Sequence, residues 1–332
     1  LEDGYIARLF SELPRAQAYR LLLAEKACRA RGLIRRPLRR TAREPVSPAA
    51  SAQRAAEPMR FPIDAHLLHG AGTTWLIDAQ GGGYLSRNGI MLTRFFESCR
   101  LPGGMRFYLR DSQSGAYWNA SDPGLSQTVS FETAQAVFSH ERFQVESELR
   151  LFVNPLDGAA LACLTLKNRS GMERMMEVCS YLEPALAPRR DDEAHPAFQN
   201  LFIRTGRLGK YGVAAMRRPR GPAEGTRRLW HLMATDASLT VMRVQTDRTA
   251  FLGRGRTFYA PRALELPISA VADTVGDMIE PCLSLRAQFV LPPGGRLQFV
   301  FSTHLAGEGE APGAFLERYG QIDGALRAYG PA

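Results

Sequence analysis

The sequence predicts an all-β protein, a large two-sheet antiparallel sandwich with short helical segments at both ends. From Phe143 to Val153 apolar residues alternate with polar ones, a period of two that is typical of a strand with one buried face. About a dozen similar short segments recur between residues 73 and 302, and turn sequences such as Pro292-Pro293-Gly294-Gly295 separate them. Because no helical pattern is interleaved, the strands are expected to be antiparallel and to stack as two sheets.

The two ends of the chain show a different pattern. Apolar residues at three- and four-residue steps predict short helices in residues 1–30, and the Arg-, Pro- and Ala-rich residues 31–60 predict a basic linker. The sandwich is therefore expected over residues 61–305. From Pro312 a helical pattern returns, so residues 306–332 are expected to begin a helical linker. Leu1 in place of Met, and a final stretch that is helical in pattern, predict that both ends are cuts in a longer polypeptide.

The charge of the chain does not favour nucleic acid as a partner. The formal net charge is +9, but 13 of the basic residues and only 6 of the acidic residues lie in residues 1–60, so the rest is nearly neutral. No helix-turn-helix, zinc-finger or aromatic RNA-binding pattern accompanies the charge. No nucleic-acid partner is expected.

The sequence also gives no sign of a metal, a cofactor or a membrane span. The five Cys residues are scattered, and none has a Cys or His partner at metal-ligand spacing. Gly81-Gly82-Gly83 precedes no helix, so it indicates a hairpin turn rather than a nucleotide site. Without a signal peptide or about 18 consecutive apolar residues, the expected location is the cytoplasm, including as part of a membrane-anchored parent protein.

Three segments are too unusual in sequence to be explained by the rules for strands and turns alone. They are His195-Pro196-Ala197-Phe198-Gln199-Asn200-Leu201-Phe202, then Arg217-Arg218-Pro219-Arg220 with Trp230 and His231, and finally Gln245-Thr246-Asp247-Arg248 with Phe251-Leu252-Gly253-Arg254-Gly255-Arg256. In order and spacing they resemble the sandwich of the cyclic β-1,2-glucan synthases and the family 94 glycoside phosphorylases. Gln199 stands where that family has Ser, and Gln245 where it has Glu. The resemblance covers about residues 62–320.

The resemblance implies a galactose mutarotase-like supersandwich that precedes an α-helical toroid. In the family the toroid supplies the general acid, an Asp, so no catalytic residue is expected in this chain. The implied function is a carbohydrate-binding or scaffolding domain of a β-glucan-processing glycosyltransferase or phosphorylase. The implied partners are a β-glucan or oligosaccharide, the toroid of the same parent protein, and a second copy of the chain in a homodimer.

Four residues of the first segment are candidates for sugar contact. In related phosphorylases this region approaches the substrate cleft, so the resemblance implies that His195, Phe198, Gln199 and Asn200 bind substrate from a loop. Amide groups suit sugar hydroxyls, and an aromatic ring suits the apolar face of a sugar. The alternative is that Pro196 and Phe198 merely hold this loop against the core.

Asp247, Arg248, Arg254 and Arg256 form a second candidate cluster. They are predicted to serve as a structural ion-pair network, a domain interface or an anion site, because Arg matches carboxylates and phosphates bidentately. Structural use is favoured, since the Gly-Arg-Gly run lacks the ending and the helix of a phosphate-cradling loop.

A second function, from a different class, also fits the sequence. A self-standing carbohydrate-binding or aldose-epimerase-like sandwich would need a His and a carboxylate converging in its own cleft. His231 or His304 with Glu280 are the candidates. No GxSxG element or recognisable Ser-His-Asp context supports nucleophilic catalysis.

Overall fold

A computed structural model describes residues 65–95, 103–121, 128–221 and 224–329. The described strands are β1 Ala65–Gly70, β2 Thr73–Asp78, β3 Gly83–Arg87, β4 Ile90–Thr93, β5 Arg106–Asp111, β6 Tyr117–Asn119, β7 Thr128–Glu132, β8 Gln135–Arg142, β9 Val145–Val153, β10 Ala160–Asn168, β11 Arg174–Tyr181, β12 Pro184–Pro188, β13 Ile203–Arg207, β14 Gly212–Arg217, β15 Arg227–Thr235, β16 Leu239–Asp247, β17 Pro281–Leu291 and β18 Arg296–Leu305. The described helices are α1 Arg189–Ala194, α2 Pro196–Asn200, α3 Arg248–Leu252, α4 Arg262–Glu265, a 3-10 turn Ile268–Ala270, α5 Pro312–Tyr319 and α6 Ile322–Tyr329.

The prediction of a large antiparallel β supersandwich is confirmed. Hydrogen bonding divides the described strands into three sheets, with strand orders β1-β2-β3-β4-β12, β13-β14-β15-β18-β10-β9-β8-β7 and β16-β17-β11-β5-β6. The division into three arises because the short hairpins β1 to β4 pair among themselves and with β12. The eight-stranded sheet is the largest layer, and the other two are five-stranded.

Local turn chemistry explains where the strand predictions differ from the structure. The stretch 128–138 forms the hairpin β7–β8 rather than one strand, and its turn contains neither Gly nor Pro. Phe143 and Gln144 form the next turn with φ of 51° and 62°, so β9 begins at Val145. The predicted hairpin turn at the glycine run is confirmed. A Cβ on Gly83, whose φ is 128°, would lie 1.9 Å from the Leu76 carbonyl oxygen.

The main hydrophobic core lies between the sheets. It takes Trp75 from the first sheet, Leu149 and Leu164 from the eight-stranded sheet, and Leu109 and Val178 from the third. These residues occupy the buried positions of the alternating pattern, which is the reason that the period of two appears in the sequence.

Two further clusters cover outer faces of the sheets. Helices α5 and α6 bury Phe315, Tyr319 and Ala325 against the eight-stranded sheet, where Trp230 and Val300 lie. The helical pattern predicted from Pro312 is thereby confirmed. On the third sheet, residues from the connection that contains α3 and α4 cover its outer face; they include Phe251, Leu252, Phe258, Ala263 and Leu264.

Residues 271–280 connect the edges of two sheets. Thr205 on β13 exchanges backbone hydrogen bonds with Gly276 at 2.8 and 3.0 Å. On β16, the backbone N–H of Thr246 donates to Thr274 Oγ1 at 2.8 Å. Both edge strands are therefore protected by the same connector.

The predicted helices of residues 1–30 and the linker of residues 31–60 lie outside the described residues. The predicted domain limits stay predictions. In the described part of the chain, no helix has both the length and the apolar character needed to cross a bilayer.

Candidate functional site

The segment predicted to contact sugar follows a strained bulge in β12. Pairing of β12 with β4 shifts register between Pro184 and Ala187, and the buried Leu186 adopts a φ of 51°. Arg227 Nη1 donates to the Leu186 carbonyl at 3.0 Å. Such strain persists only where the surroundings fix it, and pairing with β4 resumes at Ala187 and Pro188 before α1 begins.

The chain then forms two short helices, α1 and α2, so the prediction of a loop for this segment was wrong. Asp191 and Asp192 lie in the first turn of α1, where acidic side chains complement the helix dipole. Pro196 is at the start of α2, a position where its missing N–H costs nothing. These local signals are weak in sequence because each helix has only one or two turns.

Arg94, which follows β4, anchors the segment that contains α1 and α2. Its guanidinium donates to both carboxylate oxygens of Asp192, at 3.1 and 2.8 Å, and to Asn200 Oδ1 at 2.9 Å. All three residues are buried. One Arg at the end of β4 therefore ties the first helix to the second, and the amide oxygen of Asn200 is used for this purpose.

Arg217 provides a second buried anchor at the end of β14. It donates to Gln199 Oε1 at 2.6 Å and to the Gln199 carbonyl at 3.3 Å. Its guanidinium lies 5.1 Å from the Phe202 ring centroid. The first and second sequence motifs therefore contact each other, and the long amide of Gln199 spans the distance to Arg217.

Glu224 supplies the countercharge for this anchor. Its carboxylate accepts from Arg217 Nε at 3.4 Å, from Arg227 Nη1 at 2.9 Å and from Arg220 Nε at 3.2 Å. Burial alone would raise the pKa of Glu224, but the Arg220 backbone N–H and the surrounding guanidiniums hold it down to about 2. Burial lowers the pKa of Arg217 while Glu224 raises it.

The four predicted contact residues therefore divide into two pairs. Gln199 and Asn200 are buried and take part in the two anchors. His195 and Phe198 are exposed, and the Phe198 ring remains 49 % exposed although it packs edge-on against Phe202 at 5.1 Å. The segment presents one imidazole and one aromatic face to solvent from a fixed backbone.

The second candidate cluster is built as a structural network. Asp247 caps α3 by accepting from the backbone N–H of Thr249 at 2.8 Å and of Ala250 at 3.2 Å. Arg248 pairs with Glu183 at 2.8 Å and with Glu280 at 3.2 Å. Burial lowers the pKa of Arg248, and Glu183 more than offsets that effect.

The two remaining arginines of this cluster are exposed. Arg256 forms an ion pair with Glu265. Arg254 has no ion pair or hydrogen bond with the residues that the structure describes. The four predicted residues therefore do not converge on one point.

The residues proposed for an epimerase-like site do not converge either. His231 is fully buried between Ser180 and Thr303. His304 contacts Glu310 at 3.4 Å, and Glu280 pairs with Arg248. Neither His is paired with Glu280 in the described part of the chain. That part also contains no group of three His, Cys, Asp or Glu side chains arranged to hold a metal ion.

Sequence reasoning missed a buried Arg-Glu-Arg triad on the third sheet. Glu177 accepts from Arg110 at 2.9 Å and from Arg286 Nε at 2.7 Å. The two guanidiniums also donate to the carbonyls of Leu264, at 2.9 Å, and of Ala263, at 2.6 Å. The triad holds α4 against the sheet. No local signal marks it, because its members lie on three different strands.

Comparison with known proteins identifies the family of this scaffold. The family model described as the glycosyl hydrolase 94 supersandwich domain matches residues 60–322. The cyclic beta-(1,2)-glucan synthase NdvB of Rhizobium meliloti (strain 1021) is 28 % identical over 334 residues, which cover 96 % of this chain. The chain spans 12 % of the length of that relative.

Solved structures with a similar arrangement are more distant. A putative aldose 1-epimerase from Escherichia coli K12 is 8 % identical, with a TM-score of 0.40 over 74 % of this chain and 99 % of its own. A putative kojibiose phosphorylase from the human microbiome is 9 % identical, with a TM-score of 0.32 over 76 % of this chain and 26 % of its own. The family follows from the sequence match: the chain belongs to the glycosyl hydrolase 94 supersandwich domains.

Proposed function

We propose that this chain is the carbohydrate-binding and scaffolding sandwich of a β-glucan-processing protein similar to a cyclic β-1,2-glucan synthase, and that catalysis belongs to another part of its parent protein. Membership of the glycosyl hydrolase 94 supersandwich family and the similarity to a glucan synthase support the class of substrate. The observation that carries the proposal is the anchored segment 189–202, which presents His195 and Phe198 outward.

The anchoring matters because sugar contacts are individually weak. A side chain on a mobile loop loses conformational entropy when it binds, whereas one on a fixed backbone loses little. Arg94 and Arg217 supply that fixation, since each is buried and makes several charge-assisted hydrogen bonds. Phe198 then offers a flat apolar surface for a sugar ring, and His195 offers a hydrogen-bonding group beside it.

Neither His195 nor Phe198 carries the acid that glycosidic chemistry needs, and the exposed carboxylate of Glu193 in the same segment pairs with Arg189. Inverting cleavage or synthesis needs an acid on one face of the sugar and a nucleophile on the other. The exposed pair His195 and Phe198 contains no carboxylate, and Asp192 beneath it is engaged by Arg94. The proposed role is therefore to bind and position a glucan for a helical toroid of the same parent. A homodimer and a cytoplasmic location remain part of this proposal.

Calorimetric titration of the chain with sophorose and longer β-1,2-glucans tests the binding role. Phe198→Ala and His195→Ala are each expected to weaken binding about tenfold, because a stacked ring or a hydrogen bond contributes roughly that much. Tyr259→Ala is the matched control, since Tyr259 is an aromatic residue of similar exposure, 46 %, in a different segment. No binding by the wild type, or equal losses in all three variants, would refute the assigned surface.

A further inference from the structure

A polar groove crosses the outer face of the eight-stranded sheet. Its volume is about 660 Å³, and residues of β7, β8, β9, β10 and β18 line it together with the turn at Gly294. None of these strands carries the segment 189–202. A volume of this size is within the range of small-molecule sites.

Two basic side chains face each other in this groove. The register of β10 and β18 places Lys167 directly opposite Arg296. Like charges directly opposite each other destabilise a sheet. Neither side chain makes an ion pair or a hydrogen bond with the described residues. Two like charges without a direct ion-pair partner are therefore retained side by side at this position.

Two of the three carboxylates that line the groove form ion pairs with other arginines. Glu146 lies opposite Lys167 on β9, but its carboxylate is bound by Arg169 at 2.6 Å. Glu148 is bound by Arg150 at 2.8 Å. Glu141 also lines the groove, but it lies opposite Glu146 and so is two strands away from Lys167. Lys167 and Arg296 therefore form the basic end of a cross-strand row whose other end is Glu146 and Glu141.

Hydroxyl groups follow the basic pair along the same face. Thr165 precedes Lys167 by two residues on β10, and its Oγ1 accepts from Gln298 Nε2 at 3.3 Å. Its own hydroxyl hydrogen is thereby left to donate. Ser139 on β8 lies opposite Glu148, in the same cross-strand row as Thr165, and also lines the groove. Such hydroxyls match the hydrogen-bonding groups of a sugar.

We propose that this groove binds an oxyanion through Lys167 and Arg296, and that the oxyanion is carried by a sugar whose hydroxyls meet Thr165 and Ser139. Lys acts as a point charge and Arg as a two-pronged donor, a combination that suits a phosphate group. The sugar part rests on the proposed function, whereas the oxyanion part does not.

Titration with inorganic phosphate, glucose 6-phosphate and glucose at low ionic strength tests both parts. Inorganic phosphate is expected to bind, and glucose 6-phosphate is expected to bind about tenfold more tightly because the hydroxyl row adds hydrogen bonds. Glucose alone is expected to bind more weakly than either. Equal affinity for phosphate and glucose 6-phosphate would overturn the sugar part, and no binding of phosphate would overturn the whole proposal.

Charge-neutral variants distinguish a specific phosphate site from non-specific electrostatic attraction. Lys167→Gln and Arg296→Gln are each expected to weaken phosphate binding about tenfold. Arg207→Gln removes the same charge from an existing exposed ion pair on β13 of the same sheet, outside the groove, and is expected to stay within about twofold of the wild type. Equal losses in all three variants would overturn the proposal.

Lys167 and Arg296 are expected to contribute to ligand binding and not to the stability of the fold. Lys167→Gln relieves the repulsion with Arg296, so its melting temperature without ligand is expected to equal or exceed that of the wild type. A clearly lower melting temperature of this variant would show that Lys167 stabilises the fold and would contradict the proposal. Phe198→Ala is expected to leave phosphate binding unchanged, which distinguishes failure of this groove from failure of the glucan-binding segment.

Discussion

Ser180 and His231 join two sheets across the core of the sandwich, with Ser180 Oγ on β11 lying 2.9 Å from His231 Nε2 on β15. The Thr303 hydroxyl donates to Met105 Sδ at 3.7 Å, so the neutral imidazole is assigned with Nδ1–H donating to Thr303 Oγ1 at 2.8 Å and Nε2 accepting from the Ser180 hydroxyl. Ser180 Oγ in turn accepts from the backbone N–H of Leu285 at 3.2 Å. A Ser-His contact of this length resembles a nucleophile and its base. Because His231 is 0 % exposed, the pair instead satisfies buried polar groups and fixes the sheets.

Ser180→Ala is predicted to lower the free energy of unfolding by about 1–3 kcal/mol, because it leaves Nε2 of the buried imidazole and the Leu285 N–H without a partner. Urea denaturation measures this change. Ser130→Ala is the control, since Ser130 is exposed on β7 and should change the free energy of unfolding by less than about 0.5 kcal/mol. Equal effects of the two substitutions would contradict the assigned role.

The buried His231 is predicted to make the fold sensitive to acid. Burial lowers its pKa to about 3 in the folded state, below the ordinary value of 6.5. The unfolded state therefore binds more protons between these values, and stability is lost as the pH falls from about 6.5 towards 3. The whole shift corresponds to about 5 kcal/mol.

His304 contributes in the same direction, because burial lowers its pKa although Glu310 opposes the shift. Urea unfolding at a series of pH values compares the wild type with His231→Gln, which cannot titrate. The variant is expected to be less stable at pH 7 and to lose less stability between pH 6.5 and 4. Parallel pH profiles for the two proteins would show that His231 is not the responsible group.

The anchor that Arg94 and Asp192 form beneath the segment 189–202 is predicted to be a major contributor to stability. Asp192→Ala would leave the buried Arg94 guanidinium without its carboxylate, at a cost of about 3–5 kcal/mol. Glu193→Ala on the same helix removes an exposed partner of Arg189 and should cost less than about 0.5 kcal/mol. Chemical denaturation of both variants gives the comparison, and a small effect of Asp192→Ala would argue against the anchor.

The Arg-Glu-Arg triad is predicted to hold α4 on the third sheet. Glu177→Gln keeps the shape of the side chain but removes the charge between Arg110 and Arg286, so the carbonyls of Ala263 and Leu264 should be held less firmly. Hydrogen exchange of the amides in residues 248–266 is expected to accelerate. Glu265→Gln, which changes an exposed partner of Arg256, should leave that exchange close to wild type.

The strands could be predicted because their signal is local. Val145 to Val153 alternate between buried and half-buried positions, and the sequence shows that alternation directly. The hairpin β7–β8 could not be distinguished from one strand because Thr133-Ala134 carries no turn signal. The turn at Phe143 and Gln144 was also missed, since both residues adopt a left-handed backbone that usually requires Gly or Asn.

The candidate site could be predicted only in outline. The resemblance directed attention to residues 195–200, but it could not show that Gln199 and Asn200 are buried while His195 and Phe198 are exposed. That difference depends on Arg94 and Arg217, which are distant in sequence from their partners. Contacts across different strands, such as Glu177 with Arg286, leave no periodic pattern.

The central claim is that this chain binds a glucan through its anchored segment and performs no chemistry on it. One NMR experiment follows sophorose added to the isotopically labelled chain in phosphate buffer, and it reports both the protein resonances and the sugar. The account predicts shifts centred on His195 and Phe198 with sophorose unchanged after prolonged incubation. Steady conversion of sophorose by the chain, or shifts confined to residues outside 189–202, would contradict it.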